Sequence, residues 1–247
     1  MRLHVLNSGS RANGYILYND REALVIECGC TYAQCLKALG FKREKIVGAI
    51  VTHEHGDHAK YVAQYLAAAI PVYASEGTIK GFVLGKQQRK AHAISSDVLF
   101  RVGDFSIYPF RTEHDSNEPF GYLIHHPEMG NCVFATDTYY LKYTFANLSQ
   151  VMLECNYDNG ILDKNVADGI VPPIVRDRVY KSHMSLNTNI ETLKANDLSQ
   201  VVNIVLLHLS GHNSDPAMFT KAVEEETGKL VYAAKKGLDI PFNKELL

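Results

Sequence analysis

The chain has 247 residues, 46% hydrophobic and 21% charged, which suffices for one well-filled core and predicts a single domain over residues 1–247. A net charge of −2 and a pI near 6.6 exclude a global attraction to nucleic acid or membrane, so any such contact must come from a local basic patch. No apolar run is long enough to span a bilayer, and Met1–Asn7 enters a strand-like run without the apolar core of a signal peptide, so a cytoplasmic protein with no membrane partner is expected.

Leu3–Leu6 reads as a short strand. It runs into Asn7-Ser8-Gly9-Ser10-Arg11-Ala12-Asn13-Gly14, a tight loop of small and hydroxylic residues whose amides either face an anion or simply close a hairpin. Tyr15–Tyr18 and Ala23–Cys28 read as paired strands, with Glu27 near the end of the second. The cysteines Cys28, Cys30, Cys35, Cys132 and Cys155 are odd in number and contain no C-x-x-C pair, so they read as reduced core residues. Thr31 caps a helix over Tyr32–Leu39 that Gly40 stops. The β-branched run Ile46–Val51 predicts a buried strand, and the alanine-rich Ala59–Ala69 predicts one helix.

Ile70–Ala74 is a further strand, Ser75 caps a helix over Glu76–Leu84, and the basic run Gly85–His92 reads as a solvated loop in preference to a phosphate-contacting edge. Val98–Val102, Phe105–Phe110, Gly121–Ile124, Asn131–Thr138 and Val151–Tyr157 are strands, the last two ending in polar residues. Prolines start a helix over Val171–Lys181, in which Arg176, Arg178 and Lys181 either bind phosphate or are solvated. Ser185 caps a helix over Leu186–Ala195, Val201–Leu207 is an apolar strand, Pro216 opens a helix, and Leu230–Ala233 is a last strand. No repeat or linker divides the chain, and the two halves are compatible with a pseudo-symmetric sandwich.

The chemistry concentrates in Thr52-His53-Glu54-His55-Gly56-Asp57-His58, on the turn from the strand Ile46–Val51 to the following helix. Four such ligands on a short turn would crowd a single ion. They can serve two, with His53 and His55 facing one and Asp57 and His58 the other. Strand ends in layered α/β folds are where ligands collect, so His114 and Asp137 are further candidates.

The run from His53 to His58 resembles the HxHxDH signature of the metallo-β-lactamase fold superfamily. The fuller set resembles the YycJ/WalJ-like branch: Asn7 to Asn13, Thr52 to His58, His114 with Asp115-Ser116, Ala135-Thr136-Asp137, Glu154 to Tyr157, Ser182 to Ser185 and Leu207 to Ser210. The resemblance implies an α/β, four-layer αββα sandwich of two mixed sheets. It implies two divalent metal ions, zinc first, with manganese or iron also compatible with a nitrogen and oxygen donor set. His53, His55 and His114 would hold one ion, Asp57, His58 and His208 the other, and Asp137 would bridge them. His183 would face the substrate, and Asp57 and His183 would carry catalysis. Ser8, Ser10, Asn13 and Asn156 would contact substrate. Glu27 stands where the superfamily usually has aspartate, which affects support of the metal loop. His212 competes with His208, which is preferred for its place at a strand end.

The implied function is phosphodiester hydrolysis of nucleic acid, as in the branch's 5′-to-3′ DNA exonucleases, by a hydroxide held between the ions. A small-molecule cyclic phosphodiesterase is the nearest alternative. A lactamase is disfavoured without an export signal, and a thioesterase without a helical C-terminal extension. A flavodiiron oxidase would need a glutamate in the cluster, and a β-CASP nuclease a longer chain. A silent metal-binding module is the alternative of a different class, and structural zinc sites are closed and four-coordinate.

Overall fold

The computed structural model describes residues 1–87 and 89–245. The basic run Gly85–His92 therefore includes one position, Gln88, outside the described residues. The first sheet begins with strands β1 (Arg2–Asn7), β2 (Gly14–Tyr18) and β3 (Ala23–Ile26), joined antiparallel. It continues in parallel through β4 (Ile46–Ile50), β5 (Val72–Ala74) and β6 (His92–Ala93). The second sheet repeats that plan. Strands β7 (Phe100–Val102), β8 (Phe105–Arg111), β9 (Phe120–His126) and β10 (Gly130–Ala135) pair antiparallel. Strands β11 (Leu148–Glu154), β12 (Asn203–Leu207) and β13 (Leu230–Ala233) then add in parallel. Strand β14 (Asp239–Pro241) returns to pair with β1 at the edge of the first sheet.

The two sheets face each other because their strands are apolar on both sides. Leu24 and Ile26 of β3, Phe105 and Ile107 of β8, and Val205 and Leu207 of β12 point into one buried layer between the sheets. The alternate residues Ala23 and Val25 pack outward against helices α1 (Tyr32–Ala38), α2 (Gly56–Ala59) and α3 (Val62–Ala67). Ile204 and Leu206 likewise pack outward on the other side. The side-chain period of two in a strand produces this split, and each fully buried Leu, Ile or Phe contributes about 1.5–3 kcal/mol. Helix α4 (Glu76–Lys80) follows β5, and α5 (Asn159–Ala167), α6 (Pro173–Ser182), α7 (Leu186–Lys194) and α8 (Pro216–Thr227) belong to the second half. Leu186 and Leu193 of α7 and Phe219 and Val223 of α8 cover the second sheet, which completes the expected αββα order. Among the described residues no helix is long and apolar enough to cross a membrane. All five cysteines are free and buried.

Several boundaries differ from expectation for local reasons. The helix expected over Ala59–Ala69 is broken at Lys60–Tyr61, where the Tyr61 amide donates to the Cys28 carbonyl instead of continuing the spiral. Thus Asp57 and His58 lie inside a separate first helix. Helix α4 stops at Lys80 rather than Leu84, and Glu54 side-chain atoms lie against Gly81. Helix α5 and strands β6 and β14 were not foreseen. Residues 159–167 have a weak apolar stripe, with Leu162 as the buried residue. The two edge strands are two and three residues long.

The β1–β14 edge is fastened by polar groups. Asp239 accepts from Arg2 Nε at 2.6 Å and from Tyr18 Oη at 2.8 Å, and lies 3.0 Å from His4 Nδ1. Burial pushes the Asp239 carboxyl up, but hydrogen bonds from His4, Tyr18 and Arg2 outweigh it and hold its pKa below the ordinary 3.8. The unfolded chain therefore takes up this proton first on acidification. The stabilisation is complete above the ordinary value and is lost as pH falls through the lower folded one. Asp239→Asn should be less stable than the parent chain at pH 7, with the gap in urea midpoint closing toward pH 3. A gap that stays constant with pH would show that the carboxylate charge contributes nothing.

Candidate metal centre

All the candidate ligands lie at the carboxyl ends of strands, where the loops of both sheets meet. Three of these ends turn through left-handed backbone at non-glycine residues: Glu27 after β3 (φ 68°), Asp137 after β10 (φ 49°) and His208 after β12 (φ 53°). Such conformations cost of order 1–3 kcal/mol each and persist where surrounding structure fixes them. Asp137 and His208 thereby turn into the shared pocket, and Glu27 turns toward Thr52 and His58.

The donors form two groups. One is His53, His55 and His114; the other is Asp57, His58, Asp137 and His208, with ligand atoms in each group within 4.8 Å of one another. Asp137 sits between the two. Its Oδ2 lies 3.9 Å from His53 Nε2, 3.7 Å from His114 Nε2 and 3.4 Å from His58 Nε2, and its Oδ1 lies 3.8 Å from His208 Nε2. Asp57 Oδ2 is 3.3 Å from both His58 Nε2 and His208 Nε2. His212 belongs to neither group and stands on the cavity wall.

The supporting hydrogen bonds explain how the rings are aimed. Glu27 is fully buried and accepts the Thr52 hydroxyl at 2.6 Å. With its proton given to Glu27, Thr52 Oγ1 accepts from His53 Nδ1 at 2.9 Å, leaving the lone pair of His53 Nε2 facing the cluster. Glu27 also lies 3.3 Å from His58 Nδ1. The longer side chain in place of aspartate thus supports both histidines, one directly and one through Thr52. His114 Nδ1 donates to the Ser182 carbonyl at 3.0 Å, which fixes that ring in the same sense. His53 Nε2 is buried and has no hydrogen-bond partner among the described residues. An orphaned imidazole nitrogen beside a buried carboxylate is a donor set that fits a divalent metal ion.

Electrostatics agree with that fit. Burial lowers the pKa of His53 and His114, keeping both rings neutral as ligands must be. For Asp57, burial opposes ionisation, but hydrogen bonds to His208 and His58 hold the carboxyl far below its usual range. Burial also opposes charge on His58, but Asp137 and Glu27 outweigh it and raise its pKa. A proton on His58 is thus the countercharge that a cation would replace.

The groups open into a cavity of about 430 Å³. His55, Asp57, His114, Asp137 and His208 are on its floor, and Arg178, His183, His212, Val171 and Val175 are on its walls. His183 is in neither of these two groups but has a ligand atom within 4.8 Å of those of Asp137, Glu154 and His208, and it stacks on His208 with ring centroids 5.3 Å apart. Its Nδ1 lies 2.6 Å from Glu154 Oε1. Burial works against the charged ring, but the Glu154 carboxylate overrides it and lifts His183 to about 9. Glu154 itself is fully buried, and its second oxygen accepts the Thr138 amide at 2.7 Å.

Two expected substrate contacts are placed elsewhere. Asn13 is completely buried, and its Nδ2 lies 3.2 Å from Asp57 Oδ2 and 3.0 Å from His58 Nε2, so it holds ligands from behind. Ser8 Oγ accepts the His208 amide at 2.9 Å and pairs with Tyr15 Oη, tying β12 to the first sheet. Ser10 and Asn156 do line the cavity, although Asn156 also donates to the His208 carbonyl. Three amides of the loop from Asn7 to Gly14 are taken up within the protein. The Gly9 amide donates to Asn13 Oδ1, the Ala12 amide to the Gly9 carbonyl and the Asn13 amide to the Asp57 carbonyl. Thr52 and Glu154 are supporting residues that the sequence motifs alone do not assign. A lone acid closing a strand as apolar as Val151-Met152-Leu153 was the available sign, since a buried carboxylate must find partners.

A family model described as the beta-lactamase superfamily domain matches residues 24–209. The chain is 26% identical to an exodeoxyribonuclease YycJ of Bacillus anthracis, with 90% of this chain and 98% of that protein covered. It is 25% identical to an exodeoxyribonuclease WalJ of Streptococcus pneumoniae serotype 2, covering 85% and 82%. Among solved structures, the metallo-β-lactamase fold protein YhfI of Bacillus subtilis superposes with a TM-score of 0.70 at 18% identity, covering 97% of this chain and 99% of that one. Fold, ligand geometry and sequence match agree: the chain belongs to the beta-lactamase superfamily with the metallo-β-lactamase fold, and its relatives include the YycJ/WalJ branch.

Proposed function

We propose that this chain is a dinuclear metal-dependent phosphodiesterase that acts on nucleic-acid strands, as an exonuclease does. The observation that carries the reading is the pairing of two donor groups through Asp137, with His183 beside them held by Glu154 instead of by the ligand histidines. His53, His55 and His114 would hold one ion, and Asp57, His58 and His208 the other, with Asp137 shared. When bound, two such ions supply Lewis acidity toward phosphoryl oxygens and a nucleophile at neutral pH.

The chain's own residues do the rest. Asp57 faces the cavity and can accept a hydrogen bond from attacking water while it ligates. His183 carries its second proton on the nitrogen opposite Glu154, and that Nε2 donates to the leaving oxygen as the phosphorus–oxygen bond breaks. Arg178 on the wall pairs with Asp115 at 3.2 Å and can turn to a phosphate without leaving its helix. Val171 and Val175 give the cavity an apolar side against which a sugar or base can lie. The names of the YycJ and WalJ relatives support DNA as the polymer.

The direct test is metal analysis followed by parallel assays on 5′-labelled single-stranded DNA, a chromogenic phosphodiester, a thioester and a β-lactam. Hydrolysis of DNA only after loading with a divalent ion is expected. Cleavage of the chromogenic diester with inert DNA would move the assignment to small-molecule phosphodiesters. Within that assay, His183→Gln should lower kcat by roughly a hundredfold, the low end for a general acid, with metal content intact. Metal lost along with activity would make His183 a ligand instead.

A further inference from the structure

Beside the catalytic cavity lies a second cleft of about 260 Å³, lined by Arg11, Lys60 and Lys236 together with Asn7, Gln34 and Tyr61. No acidic side chain lines it. Two other basic clefts, lined by Lys86 and Arg89 and by Arg89 and Lys90, also lack an acid, but neither has a residue next in sequence to one that lines the catalytic cavity. Elsewhere some cations, such as Arg2, Arg21, Arg111 and Arg178, are ion-paired, and the whole chain carries a net charge of −2. Among the described residues, none of Arg11, Lys60 and Lys236 is within ion-pair distance of a carboxylate. Lys60 only rests its ammonium 5.5 Å over the ring of Tyr61. Three cations gathered in a concave site without a countercharge repel one another, and an anion relieves that repulsion.

The position of the cleft says which anion. The two cavities share one wall. Ser10 lines the catalytic cavity, and the next residues, Arg11 and Ala12, line the cleft. Asp57 faces the catalytic cavity, and Lys60, three residues on at the end of α2, faces the cleft. A chain of phosphates with one diester over the donor groups can therefore step across the Ser10–Arg11 rim and place another against the three cations. Tyr61 adds a partly buried aromatic face, and cations with an aromatic ring are the usual equipment for an unpaired strand.

We propose that this cleft binds a backbone phosphate of a single nucleic-acid strand whose scissile bond occupies the neighbouring cavity, a step that rests on the phosphodiesterase reading above. It makes the substrate a polymer that must reach both sites, and it gives the chain the local basic patch that its overall charge lacks.

The test is binding of a twelve-nucleotide phosphorothioate strand, which resists hydrolysis, to the metal-loaded protein, followed by fluorescence anisotropy over a range of salt. The combined variant R11A/K60A/K236A changes only exposed side chains and should remain folded by circular dichroism. It is expected to bind at least about tenfold more weakly at low salt, with the slope of log K against log salt flattened by roughly 0.7 for one lost phosphate. Lys229→Ala, beyond α8 and outside the cleft, is expected to leave the slope as it was. An unchanged slope in the triple variant overturns the proposal. So does calorimetry in which inorganic phosphate loses affinity in the variant while the strand does not, since that identifies a site for a free anion. A parent protein that cleaves the chromogenic diester but binds no strand also overturns it and leaves the catalytic reading standing. Strand binding that depends on these residues, in a protein that hydrolyses no diester, supports the cleft while removing the catalytic reading.

Discussion

In the proposed two-ion site, replacing Asp137 by asparagine should reduce bound divalent metal from two ions per chain to one or none and lower kcat/KM on a diester by about ten-thousandfold. The size follows from position. Partners that merely orient a ligand are worth about ten- to a hundredfold each in metal affinity or activity, and Asp137 faces both donor groups, so a loss of about a hundredfold at each compounds. The substitution keeps shape and volume. The Thr136 hydroxyl, 2.9 Å from Asp137 Oδ1, can still donate to the amide oxygen. What disappears is the buried negative charge, whose pKa is held far below normal: burial opposes that charge, and the surrounding His208 and His58 overcome it. Without it, His58 loses the strongest of the groups that favour its proton, and His53 and His114 lose the carboxylate they face. Metal content by plasma emission spectrometry and kcat/KM on the best diester are the readouts. Two ions retained with activity within tenfold would mean that Asp137 bridges nothing. The metal-free variant should also be less stable, because the fold loses a carboxylate whose pKa it depresses and His58 loses its main countercharge, and a urea titration measures that separately.

The run from His53 to His58 was legible because its ligands are adjacent in sequence, and the strands were legible because their apolar residues alternate or run unbroken. Residues whose role depends on long-range contact were not. Asn13 looks like any loop asparagine until the fold brings it to Asp57 and His58, forty-four and forty-five positions away. Ser8 reaches His208 across two hundred residues. Glu154 signals burial of a charge but not that its partner is His183, which arrives at the end of α6. The helix break at Lys60–Tyr61 was invisible to propensity, since alanine-rich sequence favours continuity and a tertiary hydrogen bond to Cys28 overrides it. Short edge strands such as β6 carry too few residues for any period to show.

Gly29→Ala should destabilise the chain by more than about 3 kcal/mol, beyond the usual range for an overpacked site. Three backbone segments meet at this glycine. The Asn13 amide donates to the Asp57 carbonyl at 2.7 Å, the Gly29 amide donates to the Asn13 carbonyl at 3.1 Å, and the adjacent Cys28 amide donates to the His58 carbonyl at 2.7 Å. A methyl group on Gly29 would stand 1.7 Å from the Asp57 carbonyl oxygen and 2.7 Å from that of Asn13. Neither is the end of a flexible side chain, so relief requires moving the metal turn itself. The damage should therefore appear twice, as a lower urea midpoint without metal and as weaker metal binding with it. Gly56→Ala is the matched control four positions from Thr52 on the same turn. An added methyl there meets nothing within 4 Å, and alanine is favoured over glycine in a helix by about 0.5–1 kcal/mol, so stability should hold or rise. With a total stability of only about 5–15 kcal/mol for a domain, a loss of that size takes a large share of it and should lower the melting temperature by several degrees. A Gly29→Ala protein within 1 kcal/mol of the parent would show that the turn carrying Asp57 and His58 is free to shift, and with it the case for a rigid, preformed pair of metal sites would fail.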